Sequence, residues 1–177
     1  IEKANVGGEF MDDADVERIS QIAQRAWRDS AGAERPLLSE NEVYNLTIRK
    51  GTLTHEERKI INDHIVVTLD MLGELPFPKN LRKVTEYAGG HHEKMDGTGY
   101  PNGLRGDEMS APARMMAIAD IFEALTARDR PYKKAKKLSE AVRIMHSMTN
   151  EGHIDPQLFD LFLRMGVYMR YANEYLP

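Results

Sequence analysis

Residues 54–72 read THEERKIINDHIVVTLDML, and this stretch decides the fold class. Thr54 and Glu57 have the spacing of a capping box, in which each side chain bonds the backbone N–H of the other residue at a helix start. The apolar residues that follow recur at steps of three and four; they are Ile60, Ile61, Ile65, Leu69 and Leu72. This period predicts an amphipathic helix that ends before Pro76.

Helical spacing continues on both sides of this stretch, whereas the alternation typical of strands is scarce. A first helix is predicted to include Val16 and Trp27 and to end near Asp29 to Gly32, and a short helical turn is predicted to begin at Ser39 and to be separated from the next element by Gly51. Further helices are predicted from Leu81 into His91 and His92, from Ser110 through Leu125, from Leu138 to Met148, and from Asp155 through Met165. Glycines and Pro101 interrupt the pattern after His92 and predict a structured loop. The fold class is therefore predicted to be all-α.

Composition excludes several classes of protein. The chain has 177 residues and a net charge of −4, which suits one ordinary domain and not a dedicated nucleic-acid binder. No apolar run is long enough for a membrane span. The absence of cysteine excludes disulfides and thiolate metal sites and suits the cytoplasm. Because the chain begins at Ile1 without a signal pattern, we expect it to be a piece of a longer protein.

Asp120 stands out because the run from Met115 to Phe122 surrounds it with apolar residues. A carboxylate on such a helix is expected to be buried, and a buried carboxylate must be neutralised, paired or bound to metal. Two interpretations remain open: an ion pair with Arg114 or another base, and a metal ligand.

Three histidines are candidate partners for Asp120. His64 follows Ile60 by four residues, which places it on the stripe expected to be buried. Alone it would be interpreted as a core histidine. His91 and His92, however, are adjacent and enter the glycine-rich loop, where two imidazoles have few structural uses. With Asp120 they form three nitrogen ligands and one oxygen ligand for a metal.

A basic cluster follows the Asp120 helix and comprises Arg128, Arg130, Lys133, Lys134, Lys136 and Lys137. Such a cluster is commonly a solvated surface. Guanidinium and ammonium groups near a metal site also suit the phosphate oxygens of a phosphodiester. The sequence favours the second interpretation only if the metal site exists.

Residues 91–101, HHEKMDGTGYP, resemble the signature HHExxDGxGYP of the HD-GYP family of bacterial phosphohydrolases. Upstream Gly51-Thr52-Leu53-Thr54, and downstream the segments 119–126 and 129–132, match the family in order and spacing. The resemblance covers roughly residues 48–163. It implies an HD-superfamily helical bundle with a glycine-rich loop, the GYP loop, formed by Gly97, Gly99, Tyr100 and Pro101.

The resemblance also implies a function: metal-dependent hydrolysis of cyclic di-GMP to pGpG or GMP. It places His64, His91, His92 and Asp120 on ligands of two or three divalent metal ions, usually iron or manganese, although these ligands also suit zinc and nickel. It places Arg130 and Lys133 on phosphate contacts and makes Tyr100 the expected loop contact. By analogy, the GYP loop would also dock to GGDEF-type cyclase domains.

The family's eponymous His-Asp dyad is missing, because none of the six histidines is followed by aspartate. We therefore expect residues 1–47 to be an inserted helical segment and residues 48–177 to be the C-terminal part of the domain. The dyad, its lysine and a regulatory domain are expected upstream, which leaves no catalytic residue in this chain. Such a fragment would be inactive, incomplete at its N-terminal side, and prone to self-associate through uncovered apolar surface.

Two other functions stay open. The loop and the basic cluster could form a non-catalytic module that senses cyclic dinucleotides or binds a protein. HD-type metal sites also serve phosphohydrolases of other nucleotides, and a shared fold does not select a substrate.

Overall fold

The computed structural model describes residues 1–6, 10–127 and 135–176. Contacts divide the chain into two compact units, Ile1–Asn62 and Asp63–Pro177. Helices dominate the described residues of both, which confirms the all-α prediction. Within those residues, no helix combines the length and the apolar character needed to cross a membrane.

The first unit contains short elements. They are α1 (Glu2–Val6), α2 (Asp13–Ala23), β1 (Ala26–Arg28), β2 (Glu34–Pro36), α3 (Glu40–Leu46) and α4 (His55–Asn62). Both predicted capping boxes are present: Ser39 exchanges hydrogen bonds with Glu42, and Thr54 does so with Glu57. These local patterns set the starts of α3 and α4.

The prediction that the first helix continues through Trp27 is wrong. Helix α2 ends at Ala23, and Trp27 lies in β1, opposite Arg35 of β2. The Asp29 carboxylate accepts hydrogen bonds from the backbone N–H groups of Ala31 and Ala33, which closes the turn between the strands. A side chain that bonds nearby backbone in this way competes with helix formation.

The second unit contains the longer helices. They are α5 (His64–Gly73), a 3₁₀ turn at Lys79–Leu81, α6 (Val84–Gly89), α7 (Ala111–Thr126), α8 (Leu138–Asn150), α9 (Pro156–Arg164) and α10 (Val167–Tyr175). Consecutive helices from α5 to α10 pack against each other. Helix α10 continues the chain beyond the last predicted helix, after Gly166 takes a left-handed φ of 61°.

Two predicted helices are shorter in the structure. The stretch 54–72 forms two helices that are separated at Asp63, whose carbonyl accepts from both Val66 and Val67. The helix predicted to run from Leu81 into His92 is a 3₁₀ turn followed by α6, which ends at Gly89. His91 and His92 therefore lie beyond the helix, in a turn.

The core of the second unit lies where α7, α8 and α9 meet. Its buried members are Ile118, Phe122, Ala141, Met145, Ile154 and Phe159. The opposite face of α7 is exposed, with Met115 48% and Met116 42% accessible. The core therefore holds α7 by one face only, and this decides the environment of Asp120.

Candidate metal centre

The site begins with the close approach of three helices at two glycines. A Cβ on Gly89 would lie 2.5 Å from Leu69 Cδ2 of α5, and one on Gly90 would lie 2.7 Å from Ala113 Cβ of α7. Only glycine permits these approaches without a shift of the neighbouring atoms. The end of α6 is thereby held between α5 and α7, and the two residues that follow are His91 and His92.

Three imidazoles converge at this point. One ring nitrogen from each of His64, His91 and His92 lies within 4.8 Å of the other two. The Nε2 atoms of His64 and His92 are 3.2 Å apart, and the ring centroids of His91 and His92 are 4.1 Å apart. Histidines from the start of α5 and from the turn after α6 therefore share one site.

The His91 ring has a defined tautomer. Its Nδ1 lies 2.5 Å from the carbonyl oxygen of Ala88, which is an acceptor, so that Nδ1 carries the proton and donates. The lone pair is then on Nε2. Metal-binding histidines are commonly oriented in this way, by donating the second ring N–H to a carbonyl.

His92 is neutral over most of the pH range. Burial and the neighbouring His91 and His64 lower its pKa to about 4, against the opposing effect of Asp120. A neutral imidazole offers a free lone pair, which is the form that coordinates metal. His92 is therefore prepared for coordination at neutral pH.

Asp120 does not lie in the environment that its sequence context predicts. The carboxylate was expected to be buried, but it is exposed, because it projects from the uncovered face of α7. The proposed partner Arg114 instead pairs with Asp155. Among the described residues, the group whose ligand atoms all lie within 4.8 Å of one another consists of His64, His91 and His92 and does not include Asp120. Its charge nevertheless acts on His92 and Tyr100, so it lies beside the cluster.

His64 was also expected to be buried and is exposed. The buried side chain at the start of α5 is Ile65, its immediate neighbour. The prediction assumed one continuous helix, but Ile60 and Ile61 lie in α4 and His64 begins α5. Ile60 and Ile61 are themselves exposed. The cluster therefore opens to solvent on the side of His64.

Tyr100 forms one wall of the cluster. Its ring stacks on the His92 imidazole with centroids 4.8 Å apart and ring planes inclined by 21°. Its backbone N–H donates to the His92 carbonyl oxygen at 3.2 Å. Burial, together with the charge of Asp120, raises the pKa of the Tyr100 hydroxyl. The GYP loop thus folds back onto the histidine that precedes it.

Glu93, for which the sequence predicted no role, organises this loop. Glu93 is 1% exposed, and its two carboxylate oxygens accept from the backbone N–H groups of Asn102 at 2.7 Å and Leu104 at 2.9 Å. A signal for it was present: a glycine-rich loop leaves backbone N–H groups without partners, and an adjacent acid can accept from them.

The remaining loop residues explain the spacing of the signature. Asp96 accepts from the Thr98 N–H and hydroxyl, both at 2.8 Å, and Gly97 takes a left-handed φ of 81°.

The predicted phosphate contacts Arg130 and Lys133 lie outside the described residues.

The three imidazoles suit a divalent cation. Three protein ligands that converge from one side leave coordination positions for water or substrate, as in catalytic metal sites. The defined tautomer of His91 and the neutral state of His92 supply two of the nitrogen donors. Asp120 adds a nearby carboxylate of the kind that iron, manganese and zinc accept.

Comparison with known proteins gives a family. The family model described as "HD domain" matches residues 40–158, which is more than half of the chain. A 3'3'-cGAMP-specific phosphodiesterase of Vibrio cholerae is 47% identical over 81 residues, covering 46% of this chain and 19% of the relative. A cyclic di-GMP phosphodiesterase of Pseudomonas aeruginosa is 48% identical over 79 residues, covering 44% and 18%.

A third relative matches over a longer segment. The cyclic di-GMP phosphodiesterase of Thermotoga maritima is 34% identical over 134 residues, which is 73% of this chain and 36% of the relative. The chain therefore spans well under half of the length of each of these relatives. The family match, the signature at residues 91–101 and these relatives agree, and the chain belongs to the HD domain family as a member of HD-GYP type.

Proposed function

We propose that this chain forms part of a metal-dependent phosphodiesterase that hydrolyses cyclic di-GMP to pGpG or GMP. The observation that carries the proposal is the convergence of His64, His91 and His92 in a chain of this family. The relatives named above as cyclic di-GMP phosphodiesterases supply the substrate class.

The proposed ligands are the three histidines together with Asp120. His91 contributes Nε2, because its Nδ1 is engaged with Ala88. His92 contributes the lone pair that its low pKa preserves. When bound, divalent ions supply activation of water and stabilisation of negative charge at phosphorus. Two or three ions are proposed, with iron or manganese preferred over zinc and nickel.

Substrate binding is assigned to residues on two sides of this centre. Arg130 and Lys133 are proposed to hold phosphate oxygens, because guanidinium and ammonium groups match that chemistry. Tyr100, already beside His92, is proposed as a contact for the nucleotide. The GYP loop is further proposed to dock to GGDEF-type cyclase domains, and the protein to act in the cytoplasm.

The domain boundaries are also part of the proposal. Residues 1–47 are proposed as an inserted segment and residues 48–177 as the C-terminal part of an HD-GYP domain. The family match begins at residue 40, and the contacts divide the chain after Asn62. Because no histidine here is followed by aspartate, turnover is assigned to the natural protein that carries this chain and not to these 177 residues alone.

The test is elemental analysis and hydrolysis of cyclic di-GMP by that natural protein, compared with a His91→Ala variant. Loss of both metal and turnover in His91→Ala is the expected result. The matched control is His146→Ala, which removes an exposed imidazole of α8 and should change neither. Unchanged metal content in His91→Ala would contradict the assignment of the site.

A second substrate is favoured by one observation. The Vibrio cholerae relative that is specific for 3'3'-cGAMP is as similar to this chain as the Pseudomonas aeruginosa enzyme, at 47% and 48% identity over comparable lengths. The hydrolysis assay therefore includes 3'3'-cGAMP beside cyclic di-GMP. Faster turnover of 3'3'-cGAMP than of cyclic di-GMP would make 3'3'-cGAMP the assigned substrate. Binding of either nucleotide without turnover would indicate a sensor.

A further inference from the structure

Glu93 combines full burial with a formal charge. Burying a carboxylate is costly unless hydrogen bonds compensate for the lost water. Here the compensation comes from the backbone N–H groups of Asn102 and Leu104, one to each oxygen. The carboxylate therefore ties the chain nine and eleven residues downstream to the position immediately after His92.

The loop between Glu93 and these two hydrogen-bonded residues passes close to the Glu93 backbone. A Cβ on Gly99 would lie 2.4 Å from the Glu93 Cα, a backbone atom that cannot move aside. This approach brings the next residue, Tyr100, over His92, where its N–H bonds the His92 carbonyl and its ring stacks on the imidazole. The tethers and the stack are parts of one folded loop.

We propose that Glu93 is a positioning residue, which holds the GYP loop so that the Tyr100 ring fixes the orientation of the His92 imidazole. The stack covers one face of the imidazole and leaves its Nε2 directed at His64 Nε2, 3.2 Å away. A ligand held in its bound orientation loses less conformational entropy when an ion binds. The proposal rests on the proposed function for the role of His92 as a ligand.

The test begins with the metal-free chain, by NMR of the His92 ring protons. Tyr100 lies over the imidazole, so its ring current shifts these resonances away from those of an exposed histidine. Glu93→Gln replaces one acceptor oxygen with an amide donor that faces a backbone N–H. We expect the His92 resonances to move towards those of an unstacked imidazole.

The second readout is the affinity for Zn²⁺, measured by titration calorimetry on the same proteins. Residues that orient metal ligands typically change affinity 10- to 100-fold when mutated, and a loss of about that size is expected for Glu93→Gln. Glu108→Gln is the matched control, because Glu108 also accepts a loop N–H, from Arg105 at 2.8 Å, but at an exposed position. It should change neither readout.

Tyr100→Ala keeps the test decisive if Glu93→Gln does not fold. It removes the stack while the Glu93 hydrogen bonds remain, and it should shift the His92 resonances and weaken Zn²⁺ binding. Tyr100→Phe retains the ring and should restore both. Unchanged His92 resonances in Tyr100→Ala, or an unchanged Zn²⁺ affinity in a folded Glu93→Gln, would overturn the proposal.

Failure of the proposed function gives a different result. If the wild-type chain bound no Zn²⁺, the metal centre would be contradicted. The positioning of His92 would still be supported if its resonances moved in Glu93→Gln and in Tyr100→Ala but not in Glu108→Gln.

Discussion

Arg114 of α7 and Asp155, the N-cap residue of α9, form an ion pair with 2.5 Å between Nη1 and Oδ2. Asp155 is 5% exposed, and its other oxygen accepts from the N–H groups of Gln157 and Leu158. One carboxylate therefore starts α9 and ties it to the helix that carries Asp120.

Replacing Asp155 with alanine is expected to lower the free energy of unfolding by about 3–5 kcal/mol, because it leaves a partly buried guanidinium unpaired and removes a helix cap. Urea unfolding followed by circular dichroism measures this. Asp160→Ala breaks the exposed pair with Arg164 and should change stability by less than about 1 kcal/mol. Equal effects of the two substitutions would show that the buried pair has no special role.

The close approach at Gly90 gives a second prediction. Gly90→Ala places a methyl group 2.7 Å from the Ala113 Cβ, so the end of α6 must move away from α7. We expect a loss of about 1–3 kcal/mol in unfolding free energy and weaker metal binding, since His91 and His92 move with α6.

Gly73→Ala is the control for Gly90→Ala. No atom lies within 4 Å of the added Cβ at this helix terminus, so stability should stay constant or rise slightly. Metal binding that is as strong in Gly90→Ala as in Gly73→Ala would mean that the glycine contact does not position the histidines.

The low pKa of His92 predicts how the stability of the metal-free chain depends on pH. The folded state takes up the proton only near pH 4, whereas the unfolded state does so near pH 6.5. The contribution of His92 is thus fully present above pH 6.5 and is lost progressively as the pH falls from 6.5 to about 4. Between pH 6.5 and pH 4, the free energy of unfolding should therefore decrease less steeply in His92→Ala than in the wild-type chain. Identical slopes in the two proteins would contradict the prediction.

NMR titration checks the same property directly. The ring protons of His92 should report a midpoint near pH 4 in the wild-type chain. A midpoint at the ordinary value for histidine would show that burial and the neighbouring imidazoles do not destabilise the charged form.

Exposed apolar side chains on α5 predict self-association. Val67 is 58% and Met71 is 65% exposed, on a helix whose first residue is His64. Uncovered apolar surface of this kind favours dimers or larger assemblies. Sedimentation velocity should show concentration-dependent association, and the double substitution of Val67 and Met71 by lysine should reduce it.

Asp70→Lys is the control for the lysine substitutions, because it alters charge on the same helix without removing apolar surface. A wild-type chain that stays monomeric at high concentration would refute the prediction of self-association.

The helices were predictable where their signals are local. The capping boxes of α3 and α4, the Ser110–Pro112 start of α7 and the Asp155-Pro156 start of α9 are formed as their sequences indicate, because each depends on residues within one or two helical turns. The hairpin that contains Trp27 was not predicted. Its turn is stabilised by hydrogen bonds from backbone N–H groups to the Asp29 carboxylate, and helical periodicity gives no information about such bonds.

The candidate site divides in the same way. The sequence by itself determined the family, because HHEKMDGTGYP is a long signature. It also selected the three histidines as candidate ligands, because adjacent histidines before a glycine-rich loop have few structural uses. It did not determine that Asp120 is exposed, because helical spacing says which residues share a face and not whether another element covers that face. It did not determine that His64 is exposed either, because the predicted helix is divided at Asp63 and His64 does not share a helix with Ile60.

Only the tertiary structure decided the arrangement of the cluster. The 3.2 Å approach of His64 to His92 depends on how α5 and α6 pack at two glycines, and the stack of Tyr100 on His92 depends on the buried carboxylate of Glu93. These contacts join residues up to 28 positions apart in the chain. Their distances follow from side-chain packing and from the need of buried polar groups for partners, which a linear pattern of residue types does not contain.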